Sequence, residues 1–319
     1  MALPTIEKQY DDDEQCTEYK FEELLIDGDL LVFSSCAAVE YGRSPEEYTL
    51  QEILTNIEGR IAAMKRRLRA RKVRIFFTAK DNFRYRILDT YKANRKEAWL
   101  PENLDAAKSH IMTMFHGEMA PGLEADDLLA INQKLDGSTI IATIDKDIPQ
   151  VRGMHYRWET QHKGEAVFEV SGNGELKKEI HNKKTKITGN GIRFFCYQLL
   201  IGDPTDGVMG CGKLVKKVYK TGAKAGEEYE KREGVGPVGA FEQLEYAITY
   251  QRCMEIVIAN YKHVFGDDWE DMLVKNGRCL FMTTKLRDDG KFQLWHFRPE
   301  KMKDSWYDPV RAEIVSLQG

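Results

Sequence analysis

The sequence predicts an α/β fold in which a mostly parallel central sheet is flanked by helices. Short apolar runs recur along the chain, and the segments between them carry helical periodicity. The clearest helical pattern covers residues 52–71, where apolar residues are spaced three and four apart. Several apolar runs pass directly into acidic residues. In a parallel sheet the carboxyl ends of the strands meet at one edge, so these acidic residues are expected to converge there.

Composition narrows the class of protein. The chain has 319 residues, with 47 basic against 51 acidic, and a chain of this length can bury a core without disulfides or metals. Its apolar stretches are shorter than the roughly 20 residues of a membrane span, and its N terminus is acidic where a signal peptide is basic and then apolar. Six scattered cysteines without a CxxC pair favour a reducing compartment. We expect a cytoplasmic globular protein with no membrane partner, and its oligomeric state is left open.

The predicted strands are followed by acidic residues. The runs and their acids are residues 24–26 before Asp27, 73–77 before Asp81, 139–143 before Asp145 and Asp147, and 196–201 before Asp203 and Asp206. A fifth cluster, Glu124, Asp126 and Asp127, precedes an apolar run, which is typical of the first turn of a helix.

The remaining segments have weaker patterns. Residues 151–190 are polar and punctuated by glycine, which favours a hairpin-rich insertion. Residues 220–239 resemble an exposed loop, and residues 241–265 a long helix. The Asp-Gly pair within residues 279–297 is a β-hairpin turn signal.

The acidic clusters favour a metal site when they are taken together. A single acidic residue after a strand is usually a turn or cap residue. Several carboxylates at one edge would repel each other unless cations neutralised them. Oxygen ligands select hard ions such as Mg²⁺ or Mn²⁺, and no histidine lies near any cluster in the sequence, which argues against zinc. Two such ions about 4 Å apart would form a clamp for phosphoryl transfer.

The order of these motifs resembles the flap endonuclease / 5′→3′ exonuclease family, and most of all the replication exonucleases of short-tailed phages. The motifs that carry the resemblance are, in order, DGD at 27–29, Asp81, YKANRK at 91–96, EADD at 124–127, DKD at 145–147 and GDPTD at 202–206. The likeness extends from about residue 24 to about residue 299. It implies a helical arch at about 82–101 and a helix–hairpin–helix-like DNA clamp.

The resemblance divides the chain into five parts. They are an N-terminal extension (1–23), a catalytic core (24–150), the hairpin-rich insertion (151–195), a region with the last acidic motif, the clamp helices and a hairpin (196–299), and a C-terminal tail (300–319).

The resemblance also implies roles for the acidic residues. Ligands of a first metal ion would be Asp27, Asp81, Glu124 and Asp126; ligands of a second would be Asp145, Asp147 and Asp206; Asp127 and Asp203 would be ligands or lie beside them. Asp29 matches no role in the family, and we interpret it as a turn residue. Two departures stand out: Gly207 replaces the usual Asn, and residues 30–39 lack the basic residue that often follows the first Asp.

Basic residues alternate with aromatic residues between 83 and 99, a pattern suited to gripping phosphates and stacking on bases. Lys92, Arg95 and Lys96 have helical spacing, and alone they would indicate a solvated amphipathic helix. The resemblance to the arch assigns Lys92 and Arg95 to the scissile phosphate, where they would neutralise developing charge. It assigns DNA contacts to Arg84, Arg86, Tyr91 and Lys96.

Residues 207–213 fit the pattern GxxxxGK, but a P-loop requires Ser or Thr next and residue 214 is Leu. We interpret the segment as a glycine-rich turn that opens a helix whose free amides bind a DNA phosphate. The expected contacts are Gly210, Gly212, Lys213, Lys216 and Lys217. The family resemblance suggests a K⁺ ion in that turn.

The sequence therefore predicts a metal-dependent nuclease that removes nucleotides from the 5′ ends of double-stranded DNA and leaves 5′-phosphates. The resemblance implies action at nicks and flaps and on RNA primers in RNA–DNA hybrids. A non-catalytic nucleic-acid binding module and, less favoured, a P-loop NTPase are the alternatives.

Overall fold

A computed structural model of the chain describes residues 18–93, 99–181, 184–311 and 313–316. Its centre is a five-stranded sheet with the strand order β2-β1-β3-β4-β5. The four strands β2, β1, β3 and β4 are parallel, and β5 is antiparallel at one edge. The strands are β1 (Phe21–Asp27), β2 (Ala70–Phe76), β3 (Thr139–Ala142), β4 (Gly153–Arg157) and β5 (Ala166–Val170). The predicted mostly parallel sheet is confirmed.

Both faces of this sheet are covered, which explains why β1 is a continuous apolar run. Leu24 and Ile26 pack with one hydrophobic cluster and Leu25 with another, because successive side chains of a strand point to opposite faces. One face packs against α1 (Gly28–Glu40), α2 (Leu50–Leu68) and α4 (Leu104–Met114), and the other against α5 (Ala125–Asn132).

The periodicity at 52–71 predicts α2 well except at its end. The helix stops at Leu68, and Arg69 adopts a left-handed conformation with φ 49° before β2 begins at Ala70. Thr49 caps the start, where its hydroxyl accepts a hydrogen bond from the amide of Glu52. The last basic residue of the predicted helix, Arg71, therefore belongs to the strand that follows it.

The prediction of a strand at 196–201 is wrong. These residues end α6 (Gly191–Ile201), which packs against α8 (Tyr250–Phe265), α9 (Trp269–Leu280) and the turn Ile148–Gln150. Phe195, Leu199 and Leu200 are fully buried in this helical layer. A short apolar run does not distinguish a buried strand from a helix that is covered on every side.

The predicted insertion at 151–190 is only partly separate. Its first half supplies β4 and β5 to the central sheet, and its second half forms a two-stranded hairpin of β6 (Leu176–His181) and β7 (Lys184–Gly189). The predicted helix at 241–265 is two helices, α7 (Pro237–Leu244) and α8, with Thr249 capping the second.

The other elements are short. Residues 220–239, expected to be a loop, include β9 (Glu228–Gly234), which pairs with β8 (Gly212–Val218). The Asp289-Gly290 turn is present, but residues 279 and 280 belong to α9. The remaining elements are α3 (Arg84–Ile87), β10 (Phe292–Gln293), α10 (Pro299–Lys303), β11 (Ser305–Asp308) and β12 (Glu313–Ser316). Within the described ranges, no helix is both long and apolar enough to cross a membrane.

Candidate active site

Acidic side chains line a pocket of about 750 Å³ at the carboxyl edge of β1 and β3. Eight of the nine carboxylates on its wall come from the motif clusters, and the ninth is Asp89. They are Asp27, Asp29, Asp89, Glu124, Asp126, Asp145, Asp147, Asp203 and Asp206. Basic side chains on the same wall are Lys80, Arg84, Lys92, Lys108 and Lys146. The pocket thus brings together acids from segments that are far apart in the sequence.

Asp27 is the last residue of β1 and the N-cap of α1. Its Oδ1 accepts a hydrogen bond from the Leu30 amide (3.0 Å), and its Oδ2 accepts one from the Thr143 hydroxyl (2.8 Å). Burial raises the pKa of Asp27 to about 7, and the negative charges of Asp29 and Asp145 add to the shift. A side chain at Gly28 would collide with Phe77, so the glycine allows the carboxylate to approach the edge.

Asp145 and Asp147 form a tight turn after β3. Oδ1 of Asp145 accepts a hydrogen bond from the Asp147 amide (2.6 Å), and Gln198 of α6 donates to Asp147 Oδ1 (2.7 Å). Burial raises the pKa of Asp147 to about 8, with a further contribution from the charge of Asp145. Burial, followed by the charges of Asp145 and Asp27, raises the pKa of Asp126 well above its ordinary range. Protons or cations are therefore needed to hold these carboxylates together.

Asp203 and Asp206 lie on the turn that follows α6. The backbones of Asp203 and Val208 exchange two hydrogen bonds across this turn, and Lys146 Nζ lies 3.1 Å from Asp203 Oδ2. The turn packs on the next segment, since the Lys92 amide donates to the Asp206 carbonyl (3.0 Å). Gly207 has φ 71°, and a Cβ there would lie 2.4 Å from the Thr90 carbonyl oxygen. Glycine at this position is thus required by close packing.

Glu124 caps the start of α5 and is surrounded by donors. Lys92 Nζ lies 2.5 Å from Glu124 Oε1, and the Tyr91 hydroxyl lies 3.0 Å from Oε2 and 3.1 Å from Asp206 Oδ2. Burial alone would raise the pKa of Glu124, but the charges of Arg84 and Lys92 outweigh it and the pKa is lowered. Glu124 is therefore a stable anion, unlike Asp27, Asp126 and Asp147, whose pKa values are raised.

Arg84 and Asp127 form a buried ion pair below Glu124. Both guanidinium Nη atoms bind Asp127, at 2.7 and 2.8 Å, and Nε donates to the Cys279 carbonyl (3.0 Å). Only 2% of Arg84 is exposed, so the expectation that it contacts DNA is wrong. Asp127 also accepts from the Glu124 amide, and it orients the helix start rather than lining the pocket.

Asp81 is outside the pocket, contrary to the expected ligand set. β2 ends at Phe76, and four more residues carry the chain past the edge before Asp81. Asp81 is exposed and accepts a hydrogen bond from the Gly122 amide (3.1 Å). Thr78 lines the pocket near β2 instead, and its hydroxyl accepts from the Ala125 amide (3.1 Å).

Asp29 and Lys108 are pocket residues that sequence reasoning missed. Asp29 Oδ2 accepts from the Thr78 amide (2.8 Å), and Asp29 Oδ1 lies 2.9 Å from Lys108 Nζ. The interpretation of Asp29 as a plain turn residue is wrong, and its spacing from Asp27 in the first helical turn was an available signal. Nothing in the sequence around Lys108 indicated that α4 would bring it to this edge.

The described part of the expected arch is not one helix. Lys92 has φ 52°, a left-handed turn conformation, and the helix before it, α3, has a single turn. Arg95 and Lys96 lie outside the described residues. Tyr91 is 2% exposed and bonded to carboxylates, so the expected DNA contact by its ring is wrong; Arg86 and Tyr85 are exposed.

The glycine-rich segment opens a strand rather than a helix. Gly212 begins β8, so the expectation that Gly210 and Gly212 expose helix-start amides is wrong. Lys213 and Lys217 alternate with Lys216 along that strand, and the three do not share one face. The K⁺ prediction stays a prediction, now without the helix on which it depended.

A strand after GxxxxGK also contradicts the P-loop alternative, which requires a helix there.

The donor chemistry of the pocket fits hard divalent cations. In the ranges that the structure describes, no three His, Cys, Asp or Glu side chains are already gathered as a coordination shell. Ammonium groups of Lys92 and Lys146 lie among the carboxylates instead. However, the carboxylates supply only oxygen ligands, which hard cations prefer. Burial raises the pKa values of Asp27 and Asp147, so a bound cation would stabilise their anionic forms.

Comparisons with known proteins agree with this fold. The 5′-3′ exonuclease N-terminal resolvase-like domain model matches residues 22–179. The exonuclease of Escherichia phage T7 is 29% identical over 229 residues, which cover 66% of this chain and 69% of that protein. A phage T5 protein co-crystallised with metal ions has a TM-score of 0.51 and 15% identity, covering 81% of this chain and 88% of that one. A T5 flap endonuclease in complex with DNA and metal ions has a TM-score of 0.46 and 16% identity, covering 81% and 94%. Over residues 22–179 the chain is therefore similar to the 5′→3′ exonuclease family.

Proposed function

We propose that this nuclease hydrolyses phosphodiesters at the 5′ ends of duplex DNA, including nicks and flaps, with two divalent cations held in the acidic pocket. The observation that carries the proposal is the set of buried carboxylates in one pocket, Asp27, Asp126 and Asp147, whose pKa values burial and mutual repulsion raise. A purely structural acid cluster would be compensated by neighbouring donors, as Glu124 is. RNA primers in RNA–DNA hybrids are a further expected substrate.

The residues that would hold the cations all line the pocket and form two sets. Asp27, Glu124 and Asp126 would hold one ion, and Asp145, Asp147 and Asp206 the other. When bound, such ions supply charge neutralisation and an activated water for attack on phosphorus. Mg²⁺ is the expected ion, and Mn²⁺ is expected to substitute.

Three lysines give the pocket a means of holding phosphate. Each is paired with an acid in the structure: Lys92 with Glu124, Lys108 with Asp29 and Lys146 with Asp203. Cations that bind the acids would release these ammonium groups toward the substrate. Lys92 is the most enclosed of them, with 17% of its side chain exposed, and is best placed to stabilise charge that develops on the phosphate.

The test is incubation of the full chain with 5′-labelled nicked duplex and flap substrates, with Mg²⁺ or with EDTA. We expect Mg²⁺-dependent release of 5′-phosphorylated products from both substrates, and no cleavage in EDTA. Binding without digestion in Mg²⁺ would favour the non-catalytic binding module. Undiminished cleavage in EDTA would exclude the metal mechanism while leaving nuclease activity in place.

A further inference from the structure

The β8–β9 ribbon, formed by Gly212–Val218 and Glu228–Gly234, is a basic arm whose two faces differ. Its strands pair with each other in register over seven residues, and neither joins another sheet among the described parts of the chain. Seven residues of strand extend about 23 Å. Most side chains along it are exposed, including Lys213, Leu214 and Val218. Such exposed lysine-rich structure is not explained by packing of the core.

The foot of the ribbon is fixed close to the acidic pocket. Arg232 donates hydrogen bonds to four backbone carbonyls, those of Met209, Val235, Leu200 and Cys211, at 2.8 to 3.2 Å. Two of these carbonyls lie on either side of the turn that carries the pocket residues Asp203 and Asp206. A duplex engaged in the pocket would therefore meet an arm with a fixed base.

Pairing across the ribbon separates its charges. In an antiparallel ladder, directly paired residues share a face. Over the seven paired positions, one face carries Lys213, Lys217 and Lys231 against a single acid, Glu233, and Glu227 follows beyond the strand opposite Tyr219. This face also carries Tyr219 and Tyr229, whose rings stack 4.3 Å apart near the tip. We call it the lysine–tyrosine face.

The opposite face has the reverse balance. Lys216 is paired with Glu230 and lies 3.8 Å from Glu228, so one lysine faces two acids. Leu214 and Val218 fill the rest of that face, and Arg232 is committed to the foot. Two adjacent lysines, Lys216 and Lys217, therefore point to surfaces of opposite character.

We propose that the lysine–tyrosine face binds the phosphate backbone of double-stranded DNA outside the pocket. The inference rests on the proposed function, because it takes the substrate to be duplex DNA. Lysine and tyrosine are typical phosphate contacts, and a two-stranded ribbon fits beside or within the major groove. Lys217 is held by an exposed ion pair with Glu233, a weak interaction that a phosphate can replace.

The experiment compares Lys217→Ala with Lys216→Ala, two neighbouring lysines that each have a glutamate partner on the other strand. Binding of the full chain to a blunt duplex is measured in EDTA at salt concentrations between about 50 and 200 mM. Each lost phosphate contact lowers the slope of log affinity against log salt by about 0.9. We expect this decrease for Lys217→Ala and a larger one for Lys213→Ala/Lys217→Ala/Lys231→Ala. Lys216→Ala is expected to keep the wild-type slope.

Equal decreases in the salt slope for Lys216→Ala and Lys217→Ala would overturn the proposal, because they would show that DNA responds to charge on either face of the ribbon. A triple variant with the wild-type affinity and salt slope would also overturn it. Thermal unfolding controls for folding, which exposed lysines should not affect. A parallel Mg²⁺ cleavage assay of the wild-type chain separates the two hypotheses. If the chain does not cut but the two lysines still differ in binding, the proposed function fails and the ribbon assignment stands.

Discussion

The acidic pocket and the glycine junction at the foot of the ribbon share the turn at 202–210 but are built in opposite ways. The pocket gathers like charges, and burial raises the pKa of Asp27 to about 7 and that of Asp147 to about 8. The junction gathers backbone: a Cβ at Gly210 would lie 2.2 Å from the Gly202 nitrogen. The repulsion among its buried carboxylates destabilises the pocket. The close backbone packing of the junction holds the turn that carries Asp203 and Asp206 in place.

This contrast predicts that conservative changes in the pocket destroy activity. Asp145→Asn keeps the shape of the side chain but removes a charge that faces Asp206 and Asp126. We expect single-turnover cleavage to fall by about a thousandfold or more. DNA binding should be kept or tightened, because a negative charge near phosphate is lost.

Asp81→Asn is the matched control for that variant. It makes the same chemical change at an exposed acid outside the pocket, and it should leave the cleavage rate within about twofold of the wild type, as surface changes usually do. An equal loss of cleavage rate in both variants would show that Asp81 takes part in the active site, contrary to its position outside the pocket. In the wild-type chain, EDTA should abolish activity and Mn²⁺ should restore it.

The next largest effect is expected at Lys92. Removing one charge that stabilises the transition state costs about a hundredfold in rate. Lys92→Ala should therefore slow cleavage at saturating DNA with little change in affinity. Lys72→Ala, on an exposed part of β2, removes the same charge away from the site and is expected to have no effect. Weak binding of Lys92→Ala with normal cutting at saturation would make Lys92 a docking residue only.

Stability should report the charge of the metal-free pocket. In the unfolded chain Asp27 and Asp147 titrate near pH 3.9, well below their pKa values of about 7 and 8 in the fold. Between these limits the fold holds protons that the unfolded chain has released, so the contribution of these two groups to stability is greatest at low pH and falls as pH rises. For the two groups together, the expected loss between about pH 5 and pH 8 is on the order of 6 kcal/mol.

Chemical denaturation in EDTA at several pH values measures this loss. Asp147→Asn removes one of the titrating groups, so its stability should fall less over the same interval. Mg²⁺ added at pH 8 should recover the stability of the wild-type chain, because an ion that binds only the fold stabilises it. Identical pH profiles for the two proteins would contradict the pKa shift of Asp147.

The pocket was more predictable than the junction for a physical reason. Asp27 ends β1 and Asp145 follows the end of β3 by three residues, and the topology of a parallel sheet brings such positions to one edge. The prediction that Asp81 is a metal ligand was wrong because the sequence does not reveal that β2 ends at Phe76, five residues earlier. The prediction of a strand at 196–201 was wrong because α6 is covered on all sides, so its sequence does not show the alternation of apolar and polar residues typical of a surface helix. The prediction of a helix start at 207–217 was wrong because the same glycines and lysines suit either a helix start or a strand. The contact that fixes Gly210 is with backbone that is distant in the sequence.

The smallest predicted effects test the junction with a pair of glycine substitutions. Gly210 has φ 64° and contacts backbone atoms of Gly202, so Gly210→Ala adds strain and a collision that flexible side chains cannot relieve. We expect it to lower the free energy of unfolding by about 2 kcal/mol or more. Gly59 lies exposed within α2 and has nothing within 4 Å of its would-be Cβ. Gly59→Ala should therefore raise the free energy of unfolding by about 0.5–1 kcal/mol, through helix propensity alone. Urea denaturation of both variants gives the signs directly. If Gly210→Ala were as stable as the wild type, the turn that carries Asp203 and Asp206 would have to be looser than its packing on Gly202 indicates.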